Sequence, residues 1–476
     1  MDQQTAPLLE IAQRYLDIDD APFYMPGHKR GRGIDRDFAD LIGKNIFRLD
    51  LPELPDLEEP IAQAQALAAH AYGSDRTWFL TNGSTCGVQA MIMATCGDGD
   101  KILIGRNCHK AAIAGLILSG AEPIYLPTDY LPEFDLDLGV SPATLEIFLQ
   151  KHPAAKAVML VSPNYFGVCG DISQMAAIAH RHHLPLLIDA AHGAHLGFHP
   201  DLPISALQAG ADLVVHSTHK MAGSLTQSSM LHLQGDRLDP LKIEQALTLL
   251  QSTSPNFLLL LSLDVARRQL ALHGQELLTQ TLQLANSVRS QIDQIPHLRT
   301  FNHQQVPRLD PTRLTVMIDQ LDSTGFAIDE YLCHQWSAIA EMPTLTQLVF
   351  ALSLGNSQQD LDRLVQGLEA TSKEKGKRKK EKGLEINYQS PITNHQLPIT
   401  NPRKAYFATK TSIPIKQSIG LISGETLCPY PPGVPLIFIG EEITVTVVEL
   451  LQLIGRSGGI VNGASDPSLE TILVVA

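Results

Sequence analysis

Residues 184–227 read LPLLIDAAHGAHLGFHPDLPISALQAGADLVVHSTHKMAGSLTQ, and this stretch decides the fold of the chain. It contains two short runs, 186–188 and 213–215, that are apolar throughout and rich in branched side chains. Such runs are typical of central parallel strands that are covered on both faces. Ligands of open α/β sheets bind outside the carboxyl ends of these strands. Because the first run ends at Asp189 and the second leads to Lys220, we expect an acid and an amine at one edge of a parallel sheet.

An aspartate beside a lysine is the pair that pyridoxal 5'-phosphate (PLP) requires. The lysine forms a Schiff base with the aldehyde, and the acid keeps the pyridine nitrogen protonated so that the ring accepts electrons. For an arbitrary pair, a helix N-cap and a solvated lysine are the commoner explanation. The surrounding motifs DAAHGAH (189–195), STHK (217–220) and SLTQ (224–227) favour the cofactor, because together they closely resemble the active-site core of the ornithine/lysine/arginine decarboxylases.

This resemblance implies an α/β chain of PLP fold type I. The expected architecture is a PLP-dependent transferase-like large domain of the aspartate aminotransferase type with a mostly parallel sheet, a small α/β domain and a C-terminal α+β domain. YPPGVP followed by GEEIT (430–444) resembles the last of these. The expected boundaries are 1–55 for an N-terminal arm and linker, 56–270 for the large domain, 271–372 for the small domain, 373–404 for a disordered low-complexity insertion and 405–476 for the C-terminal domain.

Two further motifs lie where a cofactor would need them. TNGSTCG (81–87) turns from a strand into a helix, so its free backbone N–H groups and hydroxyls can bind a phosphate. The same residues are also typical of an ordinary helix N-cap. His109, in NCHK, follows a strand and is either a core or capping histidine or an aromatic lid on the cofactor ring.

The resemblance also implies site residues. The catalytic set is Lys220, Asp189, His109 and His219. The cofactor-binding set is Lys220, Asp189, Ala191, His192, His109, Gly83, Ser84, Thr85, Ser217, His219 and Thr253. Thr253, with Ser252 nearly as suitable, is expected to reach the phosphate of the other subunit, which implies a homodimer with shared active sites.

The implied activity is PLP-dependent decarboxylation of arginine, lysine or ornithine to the amine and CO2, with arginine or lysine favoured over ornithine. Ala111 and Ala190 depart from the family's usual serine and glutamate. These departures and the insertion leave open a catalytically idle scaffold protein. Another PLP reaction on the same fold, such as transamination or aldol cleavage, is a separate alternative. Glu441 and Glu442 precede a predicted helix, where they either stabilise the helix dipole or attract the distal cation of the substrate.

Bulk properties exclude several other classes of protein. The length of 476 residues predicts two or three domains. The net charge of −14 predicts a poor nucleic-acid binder. Six cysteines without a CxxC pair, and no signal peptide or long apolar run, indicate a cytoplasmic protein that does not bind membranes. His192 and His195 lack a third ligand, so we expect no metal site.

The segment 373–404 differs from its surroundings. It begins with a lysine-rich run, KEKGKRKKEK, and continues with two near-identical heptads, NYQSPIT and NHQLPIT. Neither part can bury a core, which predicts disorder. A nucleic-acid-binding tail is the alternative, but such tails usually interleave aromatic residues, which are nearly absent here.

Overall fold

The computed structural model describes residues 1–17, 25–51, 57–373, 400–430 and 434–476. Its strands are β1 (Arg76–Leu80), β2 (Lys101–Gly105), β3 (Glu122–Leu126), β4 (Asp129–Leu131), β5 (Leu136–Gly139), β6 (Ala155–Val161), β7 (Leu186–Asp189), β8 (Leu213–His216), β9 (Ser229–Leu233), β10 (Arg299–Thr300), β11 (Arg313–Met317), β12 (Met342–Pro343), β13 (Gln347–Ala351), β14 (Lys410–Pro414), β15 (Cys428–Tyr430), β16 (Ile460–Asn462) and β17 (Thr471–Val475). Its helices are α1 (Pro7–Asp17), α2 (Arg36–Ile42), α3 (Lys44–Arg48), α4 (Glu58–Tyr72), α5 (Gly83–Thr95), α6 (Lys110–Ser119), α7 (Pro142–Lys151), α8 (Ile172–Arg181), α9 (Thr218–Met221), α10 (Pro240–Leu250), α11 (Phe257–Ile292), α12 (Gly325–Trp336), α13 (Gln358–Lys373), α14 (Pro402–Phe407) and α15 (Val445–Arg456).

Seven strands form the central sheet in the order β1-β9-β8-β7-β6-β2-β3. Strand β9 is antiparallel to both of its neighbours, and the remaining pairs are parallel. The two apolar runs predicted as neighbouring parallel strands are β7 and β8, with Asp189 beside Val215. The predicted α/β fold with a mostly parallel sheet is therefore confirmed.

The central sheet is covered on both faces, which explains why these runs are apolar throughout. Leu186 and Ile188 pack in one core with helices that include α1, α4, α7 and α8. Leu187 points the other way, into a second core with α5, α6 and α10. Since successive side chains of a strand face opposite sides, a strand buried on both sides has no polar position.

Helix α11 joins the large and small domains. It is 36 residues long, which corresponds to about 54 Å. Its first half packs in the core of the large domain, whereas Ala285, Val288 and Ile292 pack with the sheet β10-β11-β13-β12 and with α12 and α13. The boundary expected at 270/271 therefore falls inside a continuous helix, because one helix serves both cores.

The C-terminal region forms a smaller α+β unit. Two two-stranded sheets, β14–β17 and β15–β16, pack with α15 around a separate core that includes Leu427, Ile443 and Leu451. The predicted insertion lies mostly at 374–399, outside the described residues. Helix α14 begins at Pro402, within the last residues of the predicted insertion, with Asn401 as its N-cap and proline at the first helical position.

Helix α5 begins at Gly83, inside the TNGSTCG motif that predicts a turn from strand to helix. All six cysteines are free, and five of them are buried. In the part of the chain that the structure describes, no helix has both the length and the apolar character needed to cross a bilayer.

Candidate active site

A cavity of about 170 Å³ opens where the strands of the central sheet end. Asp189 is the last residue of β7, Asn164 and Lys220 come shortly after β6 and β8, and all three line this cavity. The small domain contributes the segment 342–345, and the C-terminal region contributes Leu436. An engineered protein cavity of about 150 Å³ holds a benzene ring, so this volume is sufficient for one planar ring.

The predicted acid and amine lie in this one cavity. The carboxylate of Asp189 is buried and accepts a hydrogen bond at 3.1 Å from the backbone N–H of Ala191 to Oδ1. No other hydrogen bond to this carboxylate occurs among the described residues. Burial raises the pKa of Asp189, and the charge of Lys220 offsets part of that shift. A buried carboxylate that accepts only one weak hydrogen bond would be stabilised by a cationic or protonated partner.

The amine of Lys220 is held in a form suited to nucleophilic attack. Burial lowers its pKa, and the negative charge of Asp189 restores part of the loss. The Nζ atom lies 3.2 Å from Nε2 of His192 and 5.3 Å from the ring centroid of Tyr165. A lowered pKa increases the fraction of neutral amine, which is the nucleophile.

The hydrogen bonds of His192 support the same conclusion. Its Nδ1 contacts Nη2 of Arg313, and because a guanidinium can only donate, Nδ1 is the acceptor. Burial, with the charges of Lys220 and Arg313, lowers the pKa of His192, so the ring is neutral and carries its proton on Nε2. That N–H faces Nζ of Lys220, which can accept it when the amine is neutral, and the lowered pKa of Lys220 makes this form more accessible.

His109 lines the cavity and also caps α6. Its Nδ1 accepts a hydrogen bond at 3.2 Å from the backbone N–H of Ala111. Burial lowers the pKa of His109 from 6.5 to about 4, and the charges of Lys220 and Lys110 add to the shift. The imidazole is therefore neutral at physiological pH, as an aromatic lid requires. Both sequence-based alternatives, the cap and the lid, fit this position.

The lowered pKa of His109 predicts a pH-dependent stability. A histidine whose pKa falls on folding stabilises the protein above its unfolded pKa, and the contribution is lost as pH falls from 6.5 towards 4. Lowering the pH from 7.5 to 5 is expected to reduce the free energy of unfolding by about 2 kcal/mol through His109 alone. Urea denaturation at both pH values measures the change. His109→Asn, which keeps a capping side chain, should show a smaller decrease by that amount, and an equal decrease in both proteins would contradict the assignment.

The predicted phosphate site lies at the N-terminus of α5. The N-cap residue Asn82 makes no side-chain capping bond, so the first N–H groups of the helix are not satisfied by it. Gly83 has a φ of +73°, which favours glycine at the turn from strand to helix. Ser84 lines the cavity, and its hydroxyl accepts a 2.6 Å hydrogen bond from Ser217. These groups form a site suited to an anion.

Some predicted site residues lie outside the cavity lining. His219 donates from Nδ1 to the carbonyl of Ser228 at 2.9 Å. Thr85 and Thr253 are exposed to solvent. His195 is buried and pairs with Asp310 at 3.1 Å, which gives it a structural partner and separates its role from that of His192. In the described ranges, no group of three His, Cys, Asp or Glu residues is arranged to hold a metal ion.

The structure adds cavity residues that the sequence analysis did not single out. Tyr165 packs against His192 with ring centroids 4.4 Å apart and ring planes tilted by 57°, and it follows β6, so the strand-end rule could have identified it. Asp135 and Asp137 belong to the turn and second strand of the β4–β5 hairpin, and Gln347 comes from the small domain. No local pattern identifies these three, because tertiary packing brings them to the cavity.

Glu441 has neither of its two predicted roles. Its carboxylate is buried, pairs with Arg106 at 2.9 Å and accepts a hydrogen bond from the backbone N–H of Phe438. Helix α15 begins later, and Thr444 caps it. Since the charge of Glu441 is neutralised inside the protein, it is unavailable to a substrate and ties the C-terminal region to the loop after β2.

Replacing Glu441 by Gln is expected to destabilise the protein by about 3–5 kcal/mol, because Arg106 would remain buried without its counterion. Urea denaturation measures this loss. The neighbouring change Glu442→Gln is the control, and it should stay within about 0.5 kcal/mol of the unmodified protein. Equal losses in the two variants would contradict the assigned ion pair.

Comparison with known proteins agrees with this architecture. An arginine decarboxylase from Bacillus subtilis (strain 168) is 36% identical over 490 residues, with 100% of this chain and 99% of that protein aligned. An arginine decarboxylase from Bacillus anthracis is 34% identical over 495 residues, covering 100% and 98%. The crystal structure of a Francisella novicida lysine decarboxylase superposes with a TM-score of 0.83 at 22% identity, covering 99% of this chain and 81% of that one.

A family model also matches most of the chain. The model described as the Orn/Lys/Arg decarboxylase major domain matches residues 6–337, which include the central sheet and every residue of the predicted catalytic set. The solved structure confirms the expected fold, and the aligned relatives confirm the expected class of enzyme. The chain belongs to the Orn/Lys/Arg decarboxylase family and is an amino-acid decarboxylase.

Proposed function

We propose that the protein uses PLP to decarboxylate arginine, releasing agmatine and CO2. The observation that carries this proposal is the placement of the Lys220 amine and the Asp189 carboxylate in one cavity, at the ends of adjacent parallel strands. The relatives that align over the whole chain are named arginine decarboxylases, which supports arginine among the three basic amino acids.

The cavity residues fit PLP. Lys220 would hold the aldehyde, Asp189 the protonated ring nitrogen, and the N-terminus of α5 with Ser84 the phosphate. Asp189 fits because it is a buried acceptor with a single backbone donor. His109 and Ala191 line the cavity as well and would pack on the two faces of the ring. When bound, PLP supplies a conjugated cation that accepts the electron pair released as the α-carboxylate departs.

The side chains of the chain supply the remaining steps. Neutral Lys220 is the amine that exchanges with the substrate amine, and His192 orients it through a hydrogen bond. Asp189 keeps a positive charge on the ring because a buried carboxylate favours a protonated partner. After CO2 leaves, the α-carbon needs a proton. We assign its delivery to Nζ of Lys220, which can donate once it has taken up the proton that the substrate ammonium loses on reacting, since His219 donates to a carbonyl outside the cavity lining.

The position of Arg313 favours decarboxylation over transamination. A transaminase needs a cation that grips the substrate α-carboxylate throughout the reaction, whereas a decarboxylase must release it. Arg313 is the buried arginine whose charge acts on Lys220, but it contacts His192 and does not line the cavity. The cavity lining among the described residues thus offers this carboxylate no guanidinium.

A substrate panel tests the proposed function. Purified protein loaded with PLP is given arginine, lysine and ornithine separately, and CO2 and keto-acid formation are measured. CO2 release that is fastest with arginine, without keto acid, is the expected result. Keto-acid formation would replace the proposal with transamination, and faster reaction of lysine or ornithine would replace the substrate.

We further propose a cytoplasmic homodimer with shared active sites. Thr253 supports this arrangement because it is exposed, and the segment that leads to it is tied to the phosphate site. Gln251 accepts a hydrogen bond from the backbone of Thr81, and Asn82 donates to the carbonyl of Leu250. A hydroxyl held beside one phosphate site and facing outward is suited to reach a second subunit.

A further inference from the structure

The β4–β5 hairpin places a carboxylate in the cavity. Asp135 is its turn residue, with a φ of +45°, and lies between β4 and β5. Its Oδ1 accepts a 2.5 Å hydrogen bond from the hydroxyl of Tyr130, and its Oδ2 accepts one of 2.8 Å from Thr346. Both donors are neutral. In the described ranges, Asp135 forms no ion pair with a lysine, arginine or histidine.

A second acceptor lies next to Asp135. The Nε2 atom of Gln347 donates to the carbonyls of Phe134 and Asp135, at 2.5 and 2.8 Å, which fixes the orientation of its amide. The side chain is 1% exposed and lines the cavity. Its Oε1 is buried and finds no hydrogen-bond partner among the residues that the structure describes. Leaving a buried acceptor unsatisfied costs about 1–3 kcal/mol. A ligand with N–H donors would satisfy this oxygen and recover that free energy on binding.

From these contacts we infer that Asp135 and Oε1 of Gln347 form the subsite for the distal cation of the substrate. The inference deepens the proposed function and rests on it. The substrate amine must react beside Lys220, and its distal end must lie elsewhere in the same cavity. A guanidinium carries five N–H donors and a positive charge, which complements one carboxylate and one unsatisfied acceptor.

Two other acids are less suited to this role. Asp137 also lines the cavity, and its donors, Asn107 at 2.7 Å and the backbone N–H of Gly139, are neutral as well. Among the described residues, however, Gln347 donates to Asp135 and not to Asp137, so the unsatisfied acceptor lies beside Asp135. Glu441 is neutralised by Arg106. Burial raises the pKa of Asp135, and Tyr130 and Thr346 offset part of that shift. No charged side chain contributes to it, so a cationic ligand would be the counterion of Asp135.

The test compares two ligands that lack an α-carboxylate, so that neither can be decarboxylated, and that differ at the distal end alone. Agmatine ends in a guanidinium, and N-carbamoylputrescine replaces that group with a neutral urea of similar shape. Their dissociation constants are measured by calorimetry on PLP-loaded protein. Asp135→Asn removes the charge and keeps a residue that tolerates a positive φ. Asp129→Asn makes the same change at an exposed position of the same hairpin and is the control.

Asp135→Asn is expected to weaken agmatine binding at least about tenfold, while N-carbamoylputrescine changes by less than about threefold. Asp129→Asn should change neither. If agmatine binding is unchanged in Asp135→Asn, or if both ligands weaken equally, the inference is overturned. When this happens in a protein that still releases CO2 from arginine, the proposed function stands and the subsite alone fails.

A measurement on the unmodified protein covers the case in which Asp135→Asn does not fold. The affinity ratio of the two ligands is followed from pH 8 to pH 4. Because Asp135 must be ionised to prefer the cation, the preference for agmatine should fall as Asp135 is protonated on acidification. Groups at the cofactor end affect both ligands alike and cancel in the ratio. A ratio that stays constant over this range would overturn the inference.

Discussion

Replacing Lys220 by Ala is expected to lower kcat/KM for decarboxylation by at least about 10³-fold, because the methyl group can neither hold PLP nor return a proton. The amine lies in the cavity opposite a buried acid and accepts the Nε2–H of His192. A CO2-release assay with saturating PLP measures the loss. The visible absorbance of PLP bound to the lysine should disappear in the same variant.

Lys242→Ala is the matched control for that change. Lys242 is exposed on α10, so the variant alters charge and length equally without touching the cavity. It should retain the unmodified rate within about twofold. If Lys220→Ala keeps more than a tenth of the activity while circular dichroism shows a folded protein, Lys220 is not the reactive amine.

Asp189→Asn is expected to lower kcat by about 10²–10³-fold, with a smaller change in KM. The amide keeps the shape of the side chain but no longer favours a proton on the ring nitrogen. The electron sink is weakened, while the contacts to the distal end of the substrate remain. Steady-state kinetics with separate kcat and KM values measure the effect.

The stability of the cofactor-free Asp189 variant separates this catalytic role from a structural one. Burial raises the pKa of Asp189, which means that the folded protein disfavours the charge. Removing the charge should therefore leave the free energy of unfolding unchanged or raise it. Asp189→Glu keeps the charge and should recover part of kcat. A marked loss of stability in Asp189→Asn would indicate that the carboxylate mainly supports the fold.

The parallel sheet could be predicted from sequence because local pattern determines it. The two short runs that form β7 and β8 are apolar on both faces. Short, continuously apolar runs of this kind are typical of buried parallel strands. Element ends were less predictable. Helix α11 runs through the expected domain boundary because its residues pack in two cores, and residue composition does not reveal this. The Asn-Pro pair that starts α14 is a local signal that lies inside the predicted insertion.

The residues of the candidate site also differ in how far local sequence predicts them. Asp189, His109 and Lys220 lie at or shortly after strand ends, so the strand-end rule and the motifs place them in the cavity. Asp135 and Gln347 are far apart in sequence and carry no motif, because the hydrogen bonds between the hairpin and the small domain define their positions. The ion pair of Glu441 likewise joins residues that are distant in sequence.

The most direct test of the account identifies the lysine that carries PLP. The loaded protein is reduced with borohydride, which converts the link between amine and cofactor to a stable bond, then digested and sequenced by mass spectrometry. The account predicts a phosphopyridoxyl group on Lys220. A group on any other lysine, or unmodified Lys220 in a protein whose absorbance shows bound PLP, would contradict it.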